Sequence, residues 1–576
     1  MKRRTRLYLI LFSLCALLFV GLLWTSLSSQ TRFTKFCDSF FAEELKGNSL
    51  TLHYTLSDPE AYGITQEKVT LGTYDFDVAA QKRKLLKNFF ILQTIARGQL
   101  SKENQKTYDC LSYCFKTELD RLDFYLLEEP LVPSIGIQSQ LPVLLAEYSF
   151  QTEKDVENYL SLLKCIPNYF ASLLRFEEER LENGLFMDEA TAGELITYCQ
   201  DFLNQKETHF LKETFEERLE NLPLDTEKKQ SYIKKHSSIL ERYVFPSYEA
   251  LQSFLSKHEK DGHNADGLFY EPQGTDYYQW LLRSEIGTTR SFEEIETMLN
   301  DALTKDAKII AALTKKDPSL LSRAQSVTMD TSNPAALTSY LAKRAANDFP
   351  KIPSVGFEVR NVPESMEPYL SPAFYLIPPI DNSDNNVIYL NNGSLTDGLS
   401  FFTTLAHESY PGHLYQTIYE NKTDSHPISR LMYFGGYSEG WATYAEQLSY
   451  YYAPIPADVA TLLSTTRAMT LNLYAHLDLY IHGYGWTEED CSAYLKKFGI
   501  TAARSIHQMF LLVKQQPANY LKYYLGYLEI CNLKSQARSC LGSDFDLKEF
   551  HEFILSSGPA PFELLEVYFK EWLQSQ

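Results

Sequence analysis

The stretch 405–416 contains three residues of the types that catalytic zinc sites use, namely His407, Glu408 and His413. Such a site takes three protein ligands from His, Asp or Glu and leaves a fourth position for water. In the common zinc-protease motif the two His stand four residues apart and share one helix face. Here His407 and His413 stand six residues apart. On an unbroken helix this spacing is a rotation of about 240°, which would point the two side chains in different directions.

The dipeptide Pro411-Gly412 lies between the two histidines. Proline cannot continue the hydrogen-bond ladder of a helix, and glycine adopts backbone angles that other residues avoid. The dipeptide therefore predicts a bulge that turns His413 back toward His407. Glu408 directly follows the first histidine. From that position a carboxylate reaches the water of a zinc site and acts as its general base.

A third ligand is expected from a following helix, and the run 438–446 offers Glu439. Ser438 is a suitable N-cap for that helix. Glu446 lies seven residues after Glu439, on the same predicted helix face, and is a candidate to orient a ligating histidine from behind.

Each of these residues also has an ordinary structural explanation. A His-Glu pair is common at protein surfaces, and an acidic residue at a helix start is favoured by the helix dipole. The combination of two histidines, a Pro-Gly break and a glutamate on the next helix favours a metal site. His426, in a polar segment, is the alternative to His413 as second histidine ligand.

Helical patterns dominate the chain on both sides of these motifs. Within 32–349 apolar residues recur at spacings of three and four, as in Val156, Leu160 and Leu163. The runs 355–359 and 387–390 instead have strand-like composition, with a Pro-rich turn between them. The helical pattern resumes at residue 395. The sequence therefore predicts a mainly α fold with a small β-sheet just before the helix that carries the histidines.

A basic stub, residues 1–6, precedes residues 7–30, which contain no charged side chain. This arrangement is typical of a signal peptide or a signal anchor whose basic end stays in the cytoplasm. The long apolar run favours an uncleaved anchor, and the small residues at 26–28 leave cleavage as the alternative. Cys15 suggests a lipoprotein, but Leu14 is too large for the residue that precedes such a cysteine, and the apolar run continues past it.

Both alternatives predict two parts, a signal or anchor at 1–30 and one exported catalytic domain at 31–576. An uncleaved anchor predicts a single-pass protein of the cell membrane with its catalytic domain outside the cytoplasm. A cleaved signal predicts a secreted protein. Beyond Cys15 the chain has eight cysteines, an even number that permits disulfides in an exported protein without identifying the pairs.

The formal net charge is −20. Nucleic acids require a basic surface, so the charge argues against them as partners. It is compatible with good solubility. The oligomeric state is left undetermined by these features.

The two motifs resemble those of the bacterial family called domain of unknown function 885. That family has the pattern His-Glu-x-x-Pro-Gly-His-x-x-Gln followed by Glu-Gly-Trp-Ala-x-Tyr-Ala-Glu, and both are complete here at 407–416 and 439–446. The second motif is also similar to the Asn-Glu-Gly-Phe-Ala element of gluzincin peptidases, in which the glutamate binds zinc. The resemblance implies a large helical metallopeptidase-like domain with a central cleft, and Glu439 as third ligand.

The resemblance extends over nearly the whole exported part, with one departure. The family's Pro-Gly-Gln-Ala segment stands here as 517–520, with Ala518 in place of glycine. Tyr523 just beyond it is kept and is a candidate to stabilise an oxyanion, by analogy with the tyrosine or histidine donors of gluzincins. A role in core packing is the alternative for Tyr523. Gln416, which closes the first motif, is a candidate for the surroundings of the metal.

Three further residues are candidates for contacts to substrate or to the ligands. His482 and Arg467 could bind a substrate carboxylate or line the cleft, with a structural hydrogen bond as the alternative. Asn391 follows the second predicted strand and could contact substrate backbone, with a role in a turn as the alternative.

These observations predict a hydrolase with one Zn²⁺ ion that cleaves a peptide or a small amide, with Glu408 as general base. A hydrolase of non-peptide amides or esters is one alternative, since the site chemistry does not name the acyl group. A non-catalytic surface protein stabilised by zinc is another, although a structural site needs four protein ligands and no base. Endopeptidase and exopeptidase action are not distinguished by the sequence.

Overall fold

The computed structural model describes residues 28–66, 68–74, 77–394, 398–423 and 425–576. The signal or anchor predicted at 1–30 lies outside these residues except for its last three, which belong to a helix. Within the described residues, no helix is both long and apolar enough to cross a membrane. All eight cysteines of this part are free thiols.

Helices form most of the described chain, as the periodicity predicts. The first half contains α1 (28–46), α2 (Ser49–Thr55), α3 (Val78–Gln93), α4 (Lys102–Arg121), α5 (Ile137–Ala146), α6 (Glu153–Leu163), α7 (Ile166–Glu182), α8 (Glu189–Asn204), α9 (Phe210–Glu220), α10 (Thr226–Ile239), α11 (Phe245–His258), α12 (Gly274–Leu281), α13 (Phe292–Lys316), α14 (Leu320–Gln325) and α15 (Pro334–Ala345). The second half contains α16 (Leu399–Glu408), α17 (His413–Asn421), α18 (Gly435–Ser449), α19 (Ala457–Tyr484), α20 (Glu488–Lys496), α21 (Ala503–Lys514), α22 (Asn519–Leu541), α23 (Leu547–Ser557) and α24 (Phe562–Ser575).

A three-stranded sheet interrupts the helices between α15 and α16. It consists of β1 (Phe357–Asn361), β2 (Ala373–Leu376) and β3 (Asn386–Leu390), in the order β1-β3-β2. β1 runs parallel to β3, and β2 runs antiparallel to it. The predicted strands correspond to β1 and β3, although β1 begins two residues later than predicted. β2 was not predicted, because its four residues lie between the prolines at 372 and 378.

Two large hydrophobic cores pack on opposite sides of this sheet. The first contains side chains from α1 and from the C-terminal helices, and the second contains the helices α5 to α11. β3 separates them, since Ile388 and Leu390 belong to the first core and Tyr389 to the second. This alternation follows from the two-residue period of a strand. The described chain thus has two lobes.

Three adjoining cavities lie along the first core, and the first of them also borders the second core. The first cavity measures about 370 Å³ and the second about 920 Å³, and both are lined by Tyr277, Leu281 and Glu285. The second shares Tyr433 and Phe434 with a third, of about 430 Å³. The first cavity is lined by Leu131 of one core and Ala518 of the other. The three cavities adjoin one another through these shared lining residues.

The helices α18 and α22 cross at glycines. A Cβ atom on Gly440 would lie 2.4 Å from the carbonyl carbon of Gly526, and one on Gly526 would lie 2.1 Å from the carbonyl oxygen of Gly436. Only glycine permits such close contact of two backbones. The crossing brings α22 against the helix that carries Glu439, and so determines which residues of α22 face the third cavity.

Candidate metal centre

The helix α16 carries His407 and Glu408 in its last turn. Its N-terminal neighbour Gly398 has a φ of 79°, a left-handed conformation that glycine adopts without steric cost. Apolar side chains of α16, including Phe402 and Leu405, are buried. They anchor the helix in the first core, so that its C-terminal end projects into the third cavity, which His407 and Glu408 line.

The chain turns sharply between α16 and α17, as the Pro-Gly dipeptide predicts. The N–H of Gly412 donates to the carbonyl of Ala406 over 3.1 Å, so the backbone folds back onto the last turn of α16. A Cβ atom on Gly412 would lie 1.8 Å from the carbonyl oxygen of His407. The indole N–H of Trp441 donates to the carbonyl of Pro411 over 2.9 Å and holds the turn from α18. The turn places the rings of His407 and His413 with their centroids 4.9 Å apart.

Glu439 completes a group of three candidate ligands. Its Oε2 lies 3.4 Å from Nε2 of His407 and 3.4 Å from Nε2 of His413. One donor atom from each residue lies within 4.8 Å of the others, the only such group among the described residues. Zinc bonds of about 2.0–2.2 Å in tetrahedral geometry put neighbouring ligand atoms about 3.3–3.5 Å apart. The spacing of Glu439 to both histidines therefore fits a zinc ion.

The buried Oε2 of Glu439 makes no hydrogen bond of good geometry. Such an atom normally requires a partner, and a bound cation between the three side chains would provide one. Burial opposes ionisation of Glu439, but His413 and His407 outweigh it and hold its pKa well below the usual range. The donor set and its charge therefore fit a divalent metal.

The position of Ser438 differs from the prediction. The helix α18 begins at Gly435, with Phe434 in the N-cap position, so Ser438 lies inside the helix. Glu439 is consequently in the second turn. The N-cap prediction was wrong because a Gly-Gly pair, which usually marks a turn, here begins the helix where α18 packs closely against its neighbours.

Glu446 and Arg467 lie behind His407. Glu446 Oε2 is 3.4 Å from Nδ1 of His407, and the Nε–H of Arg467 donates to Glu446 Oε1 over 2.7 Å. Because Nδ1 faces Glu446, the Nε2 atom of His407 is directed toward Glu439. Burial lowers the pKa of His407, but the nearby carboxylates of Glu439 and Glu446 outweigh it and raise that pKa to about 10. This geometry agrees with the role predicted for Glu446 and gives Arg467 a role in orienting it.

Glu408 faces the same cavity from the other side of the helix end. Its Oε2 accepts a hydrogen bond of 3.0 Å from the backbone N–H of Tyr375 in β2. Burial raises the pKa of Glu408, and the nearby His407 and His413 oppose that rise. Glu408 is thus a fixed carboxylate beside the candidate ligands, and not itself one of the three.

Tyr523 lies next to His407, with ring centroids 6.3 Å apart, and lines the third cavity. The charge of Glu439, followed by burial, raises the pKa of Tyr523 well above its usual value, so its hydroxyl stays protonated. Gln416 lines the same cavity from α17. The structure therefore brings Tyr523 and Gln416 to the candidate site.

The buried Asp478 positions the start of α22, on which Tyr523 lies. Its Oδ2 accepts hydrogen bonds from the backbone N–H groups of Tyr520 and Leu521, at 3.0 and 3.3 Å. Its Oδ1 accepts from the N–H of Ala518 over 2.9 Å. Ala518 has a φ of 63°, a left-handed conformation that explains why the family has glycine at this position. This role of Asp478 was not predicted from the sequence.

Three candidates lie elsewhere. His482 is buried, accepts from the N–H of Leu268 and hydrogen-bonds the carbonyl of Val513 at 3.1 Å, which is a structural role. Asn391 is buried and donates from Nδ2 to two backbone carbonyls, both at 2.8 Å, so it holds a turn and does not face the cavity. His426 caps a short 3₁₀ helix and lies 3.0 Å from Asp38. His482 and Asn391 thus have the structural roles that the sequence left as alternatives, and His413, not His426, joins His407 in the candidate group.

The fold is mainly helical with one small sheet, and the candidate site is a His, His, Glu cluster beside a further carboxylate in a cavity of about 430 Å³. The chain belongs to the DUF885 family, described as bacterial protein of unknown function, whose model matches residues 62–567. The resemblance to this family is thereby confirmed.

Two solved structures have similar folds. One is described as a putative lipoprotein from Colwellia psychrerythraea, with a TM-score of 0.81 and 19% identity over 96% of this chain and 100% of that chain. The other is described as a putative lipoprotein of unknown function from Shewanella oneidensis, with a TM-score of 0.60 and 16% identity over 94% and 99%. At these identities the likeness concerns the fold alone. No curated protein matches the chain significantly.

Proposed function

We propose that this chain is a zinc-dependent peptidase that acts outside the cytoplasm. The observation that carries the proposal is the position of Glu439 Oε2, 3.4 Å from Nε2 of both His407 and His413. The similarity of the second motif, at 439–446, to an element of gluzincin peptidases supports the same assignment. A zinc ion held there would lower the pKa of its water to about 7 and polarise the carbonyl of the substrate.

The protein side chains then have distinct tasks. Glu408 would take a proton from the attacking water and return it to the leaving amine. The N–H of Tyr375 fixes one of its carboxylate oxygens, so the other stays available for this transfer. The protonated hydroxyl of Tyr523 would donate a hydrogen bond to the carbonyl oxygen as negative charge develops on it. Glu446 and Arg467 would keep the His407 ring in its ligating orientation.

A peptide substrate is supported by the strand beside the site. β2 is an edge strand, and Ala373 and Tyr375 line the third cavity. The N–H of Tyr375 points away from β3, since it donates to Glu408 instead. In an antiparallel edge strand every second residue directs its backbone N–H and C=O toward the free edge. An extended peptide can pair with such groups. This supports peptides over small amides and esters.

The alternative of a non-catalytic zinc protein is less well supported. A structural zinc site has four protein ligands, whereas the candidate group among the described residues contains three. The carboxylate of Glu408 beside it has no purpose in a closed site. The fourth position would thus remain for water.

The location rests on the N-terminus. A basic stub and the uncharged residues 7–30 support export, with retention as a single-pass anchor as the preferred outcome and secretion after cleavage as the alternative. The similar structures are described as putative lipoproteins, and lipoproteins are exported. Protease treatment of intact cells that express the full chain would test this, since an exported domain is degraded and a cytoplasmic one is protected.

The catalytic proposal is tested with the full chain and its Glu408→Gln variant. Metal analysis should find one zinc ion per chain in both proteins, because Glu408 is not one of the three ligands. Digestion of a peptide mixture, followed by mass spectrometry, should show turnover by the native chain that a chelator removes. The variant should be at least about 100-fold slower, the usual contribution of a general base. Undiminished turnover by the variant would refute this mechanism. If the native chain hydrolyses esters or small amides but no peptides, the protein would instead be assigned as a hydrolase of non-peptide amides or esters.

A further inference from the structure

Arg430 is the sole arginine or lysine among the described residues that line the cavity containing His407, His413 and Glu439. Its side chain is only 13% exposed. A cation that is largely removed from water needs an anionic partner, and N–H donors that this partner leaves free can bind a second anion. Arg430 is not among the residues assigned to the metal or to proton transfer.

The surrounding structure holds Arg430 in place. It lies on the 3₁₀ helix Pro427–Leu431, which His426 caps by accepting from a backbone N–H. The Nη1 atom of Arg430 donates to Glu420 Oε2 over 2.6 Å, and Glu420 is itself on α17 and lines the same cavity. The position of the guanidinium is therefore set by two elements.

The ion pair with Glu420 uses only part of the guanidinium. Arginine has five N–H donors in a planar fork that matches a carboxylate. Among the described residues, Nε and Nη2 of Arg430 have no partner, and neither atom is sealed off by protein. The buried amide nitrogen of Gln416, close to the Tyr437 hydroxyl but without a hydrogen bond of good geometry, is a further donor in this cavity.

Arg430 lines the same small cavity as the candidate metal ligands. The cavity with the metal-binding group measures about 430 Å³, at the small end of the range for ligand pockets, about 300–1,000 Å³. It adjoins the 920 Å³ cavity through Met432, Tyr433 and Phe434. Arg430 and Glu420 line the smaller cavity only. A short end of a chain fits the small cavity, while the remainder extends into the larger one.

We infer that Arg430 binds the C-terminal carboxylate of a peptide substrate, so that the chain acts as a carboxypeptidase. The inference rests on the proposed peptidase function and specifies the end of the peptide from which residues are removed. A carboxylate one or two residues beyond the scissile bond lies about 4–7 Å from it in an extended chain, a distance within the small cavity. Arg430 is a specificity residue in this scheme, and proton transfer remains with Glu408.

The test compares two matched libraries of N-acetylated hexapeptides, one with free C-termini and one with C-terminal amides. The full chain should remove one or two residues from the acids and cleave the amides at least about tenfold more slowly, as judged by mass spectrometry. Arg430→Gln should lower kcat/KM on the acids by about 10- to 100-fold, the effect of losing a hydrogen bond between charged groups. The rate on the amides should fall much less, so that the acid-to-amide ratio drops. Arg430→Lys should fall in between, since it keeps the charge without the fork.

The quantity to compare is the ratio of the rate on the acids to the rate on the amides. Both rates are measured with the same protein preparation, so a smaller folded fraction lowers both equally and leaves the ratio unchanged. Arg290→Gln is the matched control. Arg290 pairs with the buried Glu529 and lines none of the three cavities. This variant should lose stability like Arg430→Gln and keep the native ratio.

Several outcomes would overturn the inference. Equal rates on acids and amides, or an equal loss on both in Arg430→Gln, would remove Arg430 as the carboxylate site. Rapid cleavage of amides that contain Asp or Glu would reassign it to an acidic side chain. If nothing is cleaved, calorimetry with N-acetyl-dialanine and its amide decides. Binding of the acid alone, lost in Arg430→Gln, keeps the carboxylate site while the peptidase proposal fails. Absence of that preference overturns the inference.

Discussion

The carboxylate behind His407 offers a sharp test of the metal centre. The side chain of Glu446 is only 6% exposed and lies 3.4 Å from Nδ1 of His407, while Arg467 donates to it over 2.7 Å. Glu446→Gln keeps the shape and one acceptor but removes the charge. A hydrogen bond to a charged group contributes about 1.5–3 kcal/mol and a neutral one about 0.5–1.5. The difference of about 1–1.5 kcal/mol predicts roughly tenfold weaker zinc binding.

Glu446→Ala removes the acceptor as well and should approach a 100-fold loss, the upper end for residues that support metal ligands. Competition titration with a zinc-sensitive chelator at constant pH measures both variants. Glu529→Gln is the control, because Glu529 is also buried and paired with an arginine but lines none of the three cavities. Native zinc affinity in both Glu446 variants, or an equal loss in Glu529→Gln, would refute the view that Glu446 supports His407.

Two further predictions concern the turn and the titration of the site. Gly412→Ala should weaken zinc binding at least about tenfold. The added Cβ would lie 1.8 Å from the carbonyl oxygen of His407 and must therefore displace His413. An unchanged zinc affinity, measured by the same competition titration, would contradict this prediction. Glu439 and Glu446 outweigh burial and raise the His407 pKa to about 10 in the metal-free chain. The interaction of protonated His407 with these two carboxylates therefore stabilises the metal-free fold fully below about pH 6.5. This stabilisation is lost as the pH rises through 10. The urea midpoint of the chelator-treated chain should be lower at pH 10 than at pH 7, and a constant or rising midpoint would count against it.

Local patterns were sufficient for most of the helices and for the turn between the histidines. Apolar spacing predicts helices because a buried face repeats with the helical period. Pro411-Gly412 predicts the turn because one residue breaks the helix and the other permits the close return that Gly412 makes. Short elements were less accessible. β2 lies between Pro372 and Pro378, which indicate a turn, although its Tyr375 N–H holds Glu408.

Isolated candidates were the least predictable. His482, Asn391 and His426 are polar residues of types that occur in functional sites, yet each meets a structural hydrogen-bonding need. Arg430 was overlooked, since nothing in its neighbourhood along the chain marks it. In each case the deciding fact is the partner across the fold, which local sequence does not contain.

The sequence by itself determined the residue types of the candidate site, the break between His407 and His413, and the family. These follow from spacing over a few residues, where backbone geometry is the same in any fold. Only the tertiary structure decided that Glu439 lies 3.4 Å from both histidines, that Tyr523 and Arg430 share their cavity, and that His426 does not. Those distances depend on how helices pack, as at the contact of Gly440 with Gly526, and packing joins residues that are far apart in the chain.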